Sequence, residues 1–193
     1  MKHLFIVLIA ASLTGCASFI PAEIENDKIL GIIPIQYGMG SYQATYKVNA
    51  SREDIFRQVR RWAAFHATTT VTTPYGLPLK INTPTTAFNI SDNMLGDVIS
   101  SGVINGGPSD YKTVMYWPGG SYSTSIECYD GYFRVTITNI KLYGVPAYHA
   151  IELRDRSTPI RKTKAYYQFI DKEIMSLLNQ MERFVLAEVP NGR

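Results

Sequence analysis

One segment constrains the fold more than any other, a hairpin predicted between Tyr122 and Ile140. Its Asp130-Gly131 dipeptide is favoured in type I′ turns, and the flanking runs are rich in strand-forming residues. A two-residue turn fixes the strand register, which here predicts the pairs Tyr129–Tyr132, Cys128–Phe133, Glu127–Arg134, Ile126–Val135, Ser125–Thr136 and Thr124–Ile137. Apolar and polar side chains then separate onto opposite faces, except for Thr124, whereas a slip of one residue would mix them. The segment predicts a half-buried antiparallel sheet with Cys128 in the core.

Other segments predict further strands of this sheet. Tyr42 to Val48 alternates between apolar and polar residues, as a half-buried strand does. Thr86–Ile90 and Met94–Ile104 predict a second pair of strands, with Gly96 and Gly102 as candidate bulges. Together with the hairpin, these segments give about five strands.

Two segments have the periodicity of amphipathic helices. Ser51-Arg52-Glu53-Asp54 is similar to a capping box and predicts the start of a helix that reaches His66. A later stripe predicts a core helix of about six turns; its members are Tyr166, Ile170, Ile174, Leu177, Leu178, Met181 and Val185. The chain order is strand, helix, four strands, helix. It predicts the fold class α+β, with an antiparallel sheet of about five strands and two helices packed on one face (β-α-β4-α).

The N-terminus has the pattern of a bacterial lipoprotein signal peptide. Lys2 precedes an apolar run that ends in Leu13-Thr14-Gly15-Cys16, which resembles a lipobox. The run is shorter than the roughly 20 apolar residues that a membrane span needs. The resemblance implies that Cys16 receives diacylglycerol and becomes the first residue after cleavage. Ala17, rather than Asp, implies a lipid-anchored protein of the outer membrane that faces the periplasm.

These patterns predict three parts of the chain. Residues 1–15 are expected to be the signal peptide, residues 16–41 a lipidated N-terminus and tether, and residues 42–190 a single α+β domain. Within the tether, Ile29 to Ile35 could add an edge strand. The chain has two cysteines, so lipidation of Cys16 would leave Cys128 without an intramolecular disulfide partner.

Three pieces of the sequence together resemble a known family. They are the Ser51-to-His66 helix after its strand, the strands around Gly96 and Gly102, and the hairpin Tyr129-Asp130-Gly131-Tyr132-Phe133-Arg134. The pieces, within roughly residues 40–140, are similar to an uncharacterised family of bacterial lipoprotein domains with a TATA-box-binding-protein-like fold. That family's hairpin commonly reads lysine-aspartate-glycine-arginine-tyrosine-arginine, from which Tyr129 and Tyr132 depart. The resemblance implies a half-saddle domain, and it points to no particular activity because the family has no established one.

Motifs for catalysis or metal binding are weak throughout. His66 and His149 are isolated and lack the spacing of a zinc site. Asp92, Asn93 and Asp97 lack the order of a calcium loop, so turn chemistry explains them better. No serine-hydrolase motif occurs. We therefore expect no catalytic residue, no metal and no cofactor, although a hydrolase assembled from distant residues would leave no motif.

The first helix is basic, and two interpretations of this charge are open. Its arginines are Arg52, Arg57, Arg60 and Arg61. Glu53 and Asp54 are near enough to pair with them, which favours an ordinary solvated face. The alternative is a site for an anion or a lipid headgroup.

Three functions remain after these exclusions. The formal net charge of +3 argues against a nucleic-acid partner. A non-catalytic envelope lipoprotein that binds a protein partner is preferred, with Tyr129, Tyr132, Glu127 and Arg134 as the candidate binding face. A lipoprotein that binds a small ligand or glycan is the first alternative. A cryptic hydrolase is the second, and the oligomeric state is open.

Overall fold

The structure, a computed structural model, describes residues 19–66, 69–72, 78–81, 90–92, 96–111, 114, 116–143 and 149–188. These residues contain two helices, α1 (Arg52–His66) and α2 (Ile160–Glu188). They also contain the strands β1 (Phe19–Pro21), β2 (Ile24–Glu25), β3 (Lys28–Ile29), β4 (Ile33–Gln36), β5 (Met39–Gly40), β6 (Tyr42–Lys47), β7 (Thr69–Thr72), β8 (Pro78–Ile81), β9 (Ile90–Asp92), β10 (Asp97–Ile104), β11 (Gly107–Pro108), β12 (Tyr116–Trp117), β13 (Gly120–Tyr129), β14 (Tyr132–Leu142), β15 (His149–Ala150) and β16 (Leu153–Asp155).

The main sheet is antiparallel and follows the predicted order. Its strands run β15-β14-β13-β10-β9, and β6 pairs with β14 beside β15. Along the chain, β6, α1, the four strands β9, β10, β13 and β14, and α2 reproduce the β-α-β4-α pattern. The predicted fold class is confirmed, and β15 adds a short sixth strand.

All six predicted pairs of the central hairpin are present in the structure. The predicted turn type is wrong, however, because Gly131 has a φ of 83° while Asp130 is absent from the residues of positive φ. A type I′ turn needs positive φ at both positions. The carboxylate of Asp130 instead accepts a hydrogen bond of 2.7 Å from the Arg52 N–H. The turn therefore also caps α1 from outside the helix.

Two irregularities in the sheet differ from the sequence prediction. Gly102 pairs with Tyr122 in an unbroken register, so it forms no bulge. A Cβ at Gly102 would lie 2.3 Å from the Tyr122 ring, which explains the glycine by close approach. The register between β13 and β14 instead shifts between Ser121 and Ser123. Opposite that shift, Asn139 takes a left-handed φ of 52°, which returns Ile140 to the buried face.

Both helices lie on one face of the main sheet and enclose the core. Ser51 caps α1 as predicted, since its Oγ accepts a 3.2 Å hydrogen bond from the Asp54 N–H. The buried residues of α2 follow the predicted stripe with two exceptions. Tyr167 and not Tyr166 is fully buried, and Leu177 is only partly buried. The helix is longer than expected, with 29 residues. Cys128 is buried in this core, as the hairpin register predicted.

Residues 19–41 correct the predicted start of the domain at residue 42. Strands β2 to β5 form a four-stranded sheet of their own, and β1 pairs with β16. The side chains of Ile29, Leu30 and Ile33 are buried in the same core as α1 and α2. The apolar stretch therefore contributes core side chains and not an edge strand of the main sheet. No helix among the described residues is long and apolar enough to cross a bilayer.

Candidate functional site

Four side chains at the turn end of the β13–β14 hairpin form one connected group, here called the tyrosine cluster: Glu127, Tyr129, Tyr132 and Arg134. The rings of Tyr129 and Tyr132 stack with centroids 4.7 Å apart and an interplanar angle of 13°. The Arg134 guanidinium lies 5.9 Å from the centre of the Tyr129 ring. The predicted binding residues are thus brought together because the register places them on adjacent strands with the same facing.

Hydrogen bonds fix the polar ends of the cluster. Arg134 Nε donates to Glu127 Oε2 over 2.7 Å, and the Tyr129 hydroxyl donates to the same oxygen over 3.1 Å. The bond to Glu127 is the main cause that raises the pKa of Arg134 above its usual value. Tyr129 and Tyr132 each keep 37% of their surface exposed. The four side chains are therefore held in one arrangement by contacts within the cluster.

The tyrosine cluster belongs to a larger surface, here called the open sheet face. This face lies opposite the helices and carries mainly small polar side chains: Gln43, Thr45, Lys47, Asp97, Ile99, Ser101, Val103, Ser121, Ser123, Ser125, Thr136 and Thr138. None of these side chains is fully buried. Lys47 pairs with Tyr132, and Asp97 pairs with Glu127. Positive and negative charges are thus balanced around the cluster.

A second feature is a cavity of about 260 Å³ beside the N-terminal part of α2. Its walls come from β1, β12, β15, β16 and α2, together with the segments next to them: Phe19, Val114, Trp117, Pro118, Tyr143, His149, Arg154, Asp155, Thr158, Lys162, Thr163, Tyr166 and Tyr167. Trp117 stacks on Tyr166 with ring centroids 5.3 Å apart. Phe19 and His149 form a second ring pair at 4.6 Å.

The tyrosines of the cavity wall are held by backbone carbonyls. The Tyr167 hydroxyl lies 2.7 Å from the Ile151 oxygen and 2.9 Å from the Leu153 oxygen. The Tyr166 hydroxyl lies 3.1 Å from the Gly119 oxygen and 3.2 Å from that of Tyr143. Burial raises the pKa of both phenols, so they stay neutral hydrogen-bond donors. The hydroxyls of both tyrosines are therefore already engaged by the protein itself.

Asp155 is the one carboxylate in the cavity wall, and its hydrogen bonds are local. Its oxygens accept from the Ser157 N–H and hydroxyl, each at 2.9 Å, and from the Thr158 hydroxyl at 3.0 Å. These bonds, led by the backbone one, lower the pKa of Asp155. The carboxylate therefore stays ionised, with its acceptors already engaged.

The comparisons with known proteins identify the fold. A DUF4468 family protein from Bacteroides ovatus ATCC 8483 aligns with a TM-score of 0.59 and 11% identity over 88% of this chain and 97% of its own. A TBP-like protein from Parabacteroides distasonis ATCC 8503 aligns with a TM-score of 0.55 and 15% identity over 83% of this chain and 99% of its own. The fold is TATA-box-binding-protein-like. No family model and no curated protein matches the chain.

Within this TBP-like fold, the histidines and acids singled out in the sequence are dispersed. His149 lies in the cavity wall, whereas the side chain of His66 lies outside the described residues. Asp97 pairs with Asp92 in the main sheet, and Asn93 is not described. Among the described residues, no group of three or more His, Cys, Asp or Glu side chains could hold a metal ion. Cys16, the predicted lipidation residue, also lies outside them.

The arginines of α1 mostly have partners within the protein. Arg57 lies 3.2 Å from Asp54, and Arg61 lies 2.8 Å from Glu188 of α2. Arg60 lies over the ring of Phe56, 5.7 Å from its centre. These contacts favour the solvated-face interpretation over an anion or headgroup site for these three side chains.

Sequence reasoning did not predict the cavity. Its walls combine Phe19 near the N-terminus, Trp117 from the middle of the chain, and Arg154, Lys162 and Tyr166 from the last third. Residues so far apart in sequence leave no periodic or motif signal. The available signals were the 13 tyrosines and the charged run at Arg154, which gave no spatial relation.

Proposed function

We propose that this chain is a non-catalytic, lipid-anchored protein of the bacterial cell envelope that binds another envelope protein through its open sheet face. Cys16 would carry the lipid and hold the protein at the outer membrane, on the periplasmic side. The stacked pair Tyr129–Tyr132, fixed by Arg134 and Glu127, is the observation that carries the proposal. The proposal includes no cofactor.

The physical support is pre-organisation. Association costs roughly 0.5–1.5 kcal/mol for each rotamer-rich side chain that becomes immobilised. In the tyrosine cluster much of that ordering is already present, because stacking and hydrogen bonds hold Tyr129 and Arg134 in place. Tyrosine also offers a large contact area with a polar tip. The small hydroxyl side chains around the cluster let a partner approach closely.

The charge of the open sheet face favours a protein over a nucleic acid. Lys47 and Arg134 are offset by Glu127 and Asp97 on neighbouring strands. A phosphate backbone is bound by an excess of Lys and Arg that releases counterions. A balanced surface instead suits a partner with its own mixed charges.

The cavity geometry gives the hydrolase alternative little support. A serine or threonine nucleophile needs a base that accepts its proton. The hydroxyls of Ser157 and Thr158 bond to the Asp155 carboxylate in a local turn, but the lowered pKa of Asp155 makes it a poor proton acceptor. The small-ligand alternative is favoured by a specific observation, the aromatic cavity beside α2.

Site-specific photocrosslinking in the native envelope tests the partner-binding proposal. A photoreactive residue at Thr136 on the open sheet face should give one discrete crosslinked protein, and the same residue at Met175 on the exposed side of α2 should not. The variant Tyr132→Ala with Arg134→Ala should keep its fold and lose that crosslink.

A matched control removes the same residue types elsewhere. Tyr37 is 99% exposed and Arg57 lies on the solvated side of α1, so Tyr37→Ala with Arg57→Ala should leave the crosslink unchanged. Equal crosslinking from Thr136 and Met175, or an unchanged crosslink in the folded Tyr132→Ala, Arg134→Ala variant, would overturn the proposal.

A further inference from the structure

We propose that the cavity beside α2 binds a small planar aromatic acid, with its ring against Trp117 and its anionic group near Arg154 and Lys162. This inference rests on the small-ligand alternative and is independent of the open sheet face.

The size and walls of the cavity define the body of the ligand. A volume of about 260 Å³ lies just below the ~300–1,000 Å³ typical of small-molecule sites. Two ring pairs, Trp117–Tyr166 and Phe19–His149, line it. Flat aromatic faces pack best against another flat ring. A ligand of about two fused rings therefore fits the space and its walls.

The charges define the polar group of the ligand. Arg154 and Lys162 line the cavity together with a single carboxylate, Asp155, whose oxygens are already engaged by Ser157 and Thr158. The tyrosine hydroxyls of the wall are likewise engaged by backbone carbonyls. The remaining polar groups are thus mainly cationic donors, which a carboxylate or sulfonate would satisfy.

Arg154 is incompletely paired for a side chain with only 16% of its surface exposed. Its Nη2 lies 3.4 Å from Glu23, a long separation to a carboxylate that is 59% exposed. Its Nε is buried and has no hydrogen-bond partner. A buried donor without a partner is unfavourable. Lys162, in the first turn of α2, supplies a second cation on the same wall.

Calorimetric titration with matched probes tests the inference. The probes are 2-naphthoate, the neutral 2-naphthalenemethanol of similar shape, and N-acetylglucosamine as a neutral sugar. We expect saturable binding of 2-naphthoate with one site, and at least roughly tenfold weaker binding of the alcohol. No saturable binding of 2-naphthoate, equal binding of acid and alcohol, or tighter binding of the sugar would each overturn the inference.

Substitutions in the cavity wall test whether 2-naphthoate binds there. Lys162→Met and Arg154→Gln should each weaken 2-naphthoate binding by roughly tenfold, since each removes a charged donor. Lys172→Met on the exposed side of α2 and Arg156→Gln beside the cavity segment make the same charge changes and should leave the affinity unchanged. If Arg154→Gln fails to fold, Lys162→Met decides alone. Unchanged affinity in a folded Lys162→Met variant would overturn the inference.

These results separate the cavity from the open sheet face. The photocrosslink at Thr136 should be unchanged in Lys162→Met, because the two sites share no residue. A loss of 2-naphthoate binding in the Tyr132→Ala, Arg134→Ala variant would contradict the assignment of the ligand to the cavity.

Discussion

At the residue scale, burial decides the chemistry of Cys128. The thiol is 1% exposed, and burial together with the nearby Asp97 charge raises its pKa to about 12. The thiolate is the reactive form of cysteine, so a raised pKa and a buried position both suppress reaction. The residue therefore behaves as a small apolar side chain of the core.

Cys128 should react slowly with a thiol reagent while the protein is folded. In a Cys16→Ser chain, Cys128 is the sole thiol, and labelling at neutral pH should be slow until denaturant is added. Ellman's reagent measures the rate, and the unfolded chain provides the control. Rapid labelling of the folded chain would contradict the core position of Cys128.

The same thiol predicts a pH dependence of stability. A group whose folded pKa is raised stabilises the fold below its unfolded pKa and loses that contribution as pH rises through the folded pKa. For Cys128 the window therefore runs from about pH 9 to about pH 12. Between these values, the free energy of unfolding should fall less in Cys128→Ala than in the unmodified chain. Parallel urea titrations across this range measure it, and identical slopes would argue against the shift.

Gly102 gives a second test at this scale. In Gly102→Ala, the new Cβ would lie 2.3 Å from the buried Tyr122 ring, so we expect a loss of about 1–3 kcal/mol in the free energy of unfolding. Urea unfolding measures the loss, with Ser101→Ala as the neighbouring control. Tyr122→Leu should make Gly102→Ala less costly, and simple additivity of the two changes would contradict a direct clash.

At the element scale, the hairpin turn and α1 are one structural unit. Asp130 caps the Arg52 N–H, and Gly131 donates to the Ala50 carbonyl over 3.0 Å while its own carbonyl accepts from the Val48 N–H. The strand before α1, the start of α1 and the hairpin turn are therefore joined by hydrogen bonds between residues about 80 positions apart. This contact fixes where the helix lies on the sheet.

Asp130→Ala should destabilise the protein by about 0.5–2 kcal/mol, the usual cost of losing a helix cap. Asp130→Asn keeps an acceptor oxygen and a good turn residue, so it should cost much less. Hydrogen exchange at the Arg52 amide should accelerate in Asp130→Ala and not in Asp130→Asn. Equal exchange in the two variants would show that the carboxylate does not cap α1.

Sequence patterns predicted what depends on periodicity and missed what depends on distant contacts. The register of the hairpin was predictable because only one register separates polar from apolar side chains. The turn type was not predictable from the local sequence, because Asp130 also forms a hydrogen bond with Arg52, 78 residues away. The tyrosine cluster followed from the register. In α2, the prediction placed Tyr166 in the buried stripe and was wrong by one position, because the carbonyls of Ile151 and Leu153 bind the hydroxyl of Tyr167.

At the scale of the whole molecule, residues 19–41 are part of the folded body. The apolar side chains of this segment are recognisable in the sequence. Their packing against the core could not be predicted, because the segment is short and rich in turns. Ile29, Leu30 and Ile33 are each at most 2% exposed. Fully burying such a side chain stabilises a fold by about 1.5–3 kcal/mol.

A chain that begins at Tyr42 should therefore be severely destabilised. The three lost side chains together approach the ~5–15 kcal/mol that holds a typical domain folded. We expect a melting temperature at least about 10 °C below that of a chain beginning at Phe19, or no cooperative transition. Circular dichroism measures both, and matching transitions would mean that residues 19–41 contribute little to stability.

The proposed lipid anchor has a direct test. The intact mass of the protein from its native membrane should show cleavage before Cys16 and an acylated Cys16, and each buried methylene should add ~0.8 kcal/mol to membrane binding. Cys16→Ser should abolish the acyl mass and release the protein from the membrane fraction. An unmodified, soluble mature chain from the native host would rule out the anchor.

The pairing of β1 with β16 limits how far Cys16 can lie from the folded domain. Only two residues separate Cys16 from Phe19, and an extended chain spans at most ~3.3–3.6 Å per residue. If Cys16 is acylated, the chain that links the bilayer to the folded domain would span about 11 Å or less. The domain would then lie against the membrane surface. The side of the cavity that Phe19 lines would be next to the lipid headgroups. Such a short connection would restrict the proposed partners and ligands to those that come to the membrane surface.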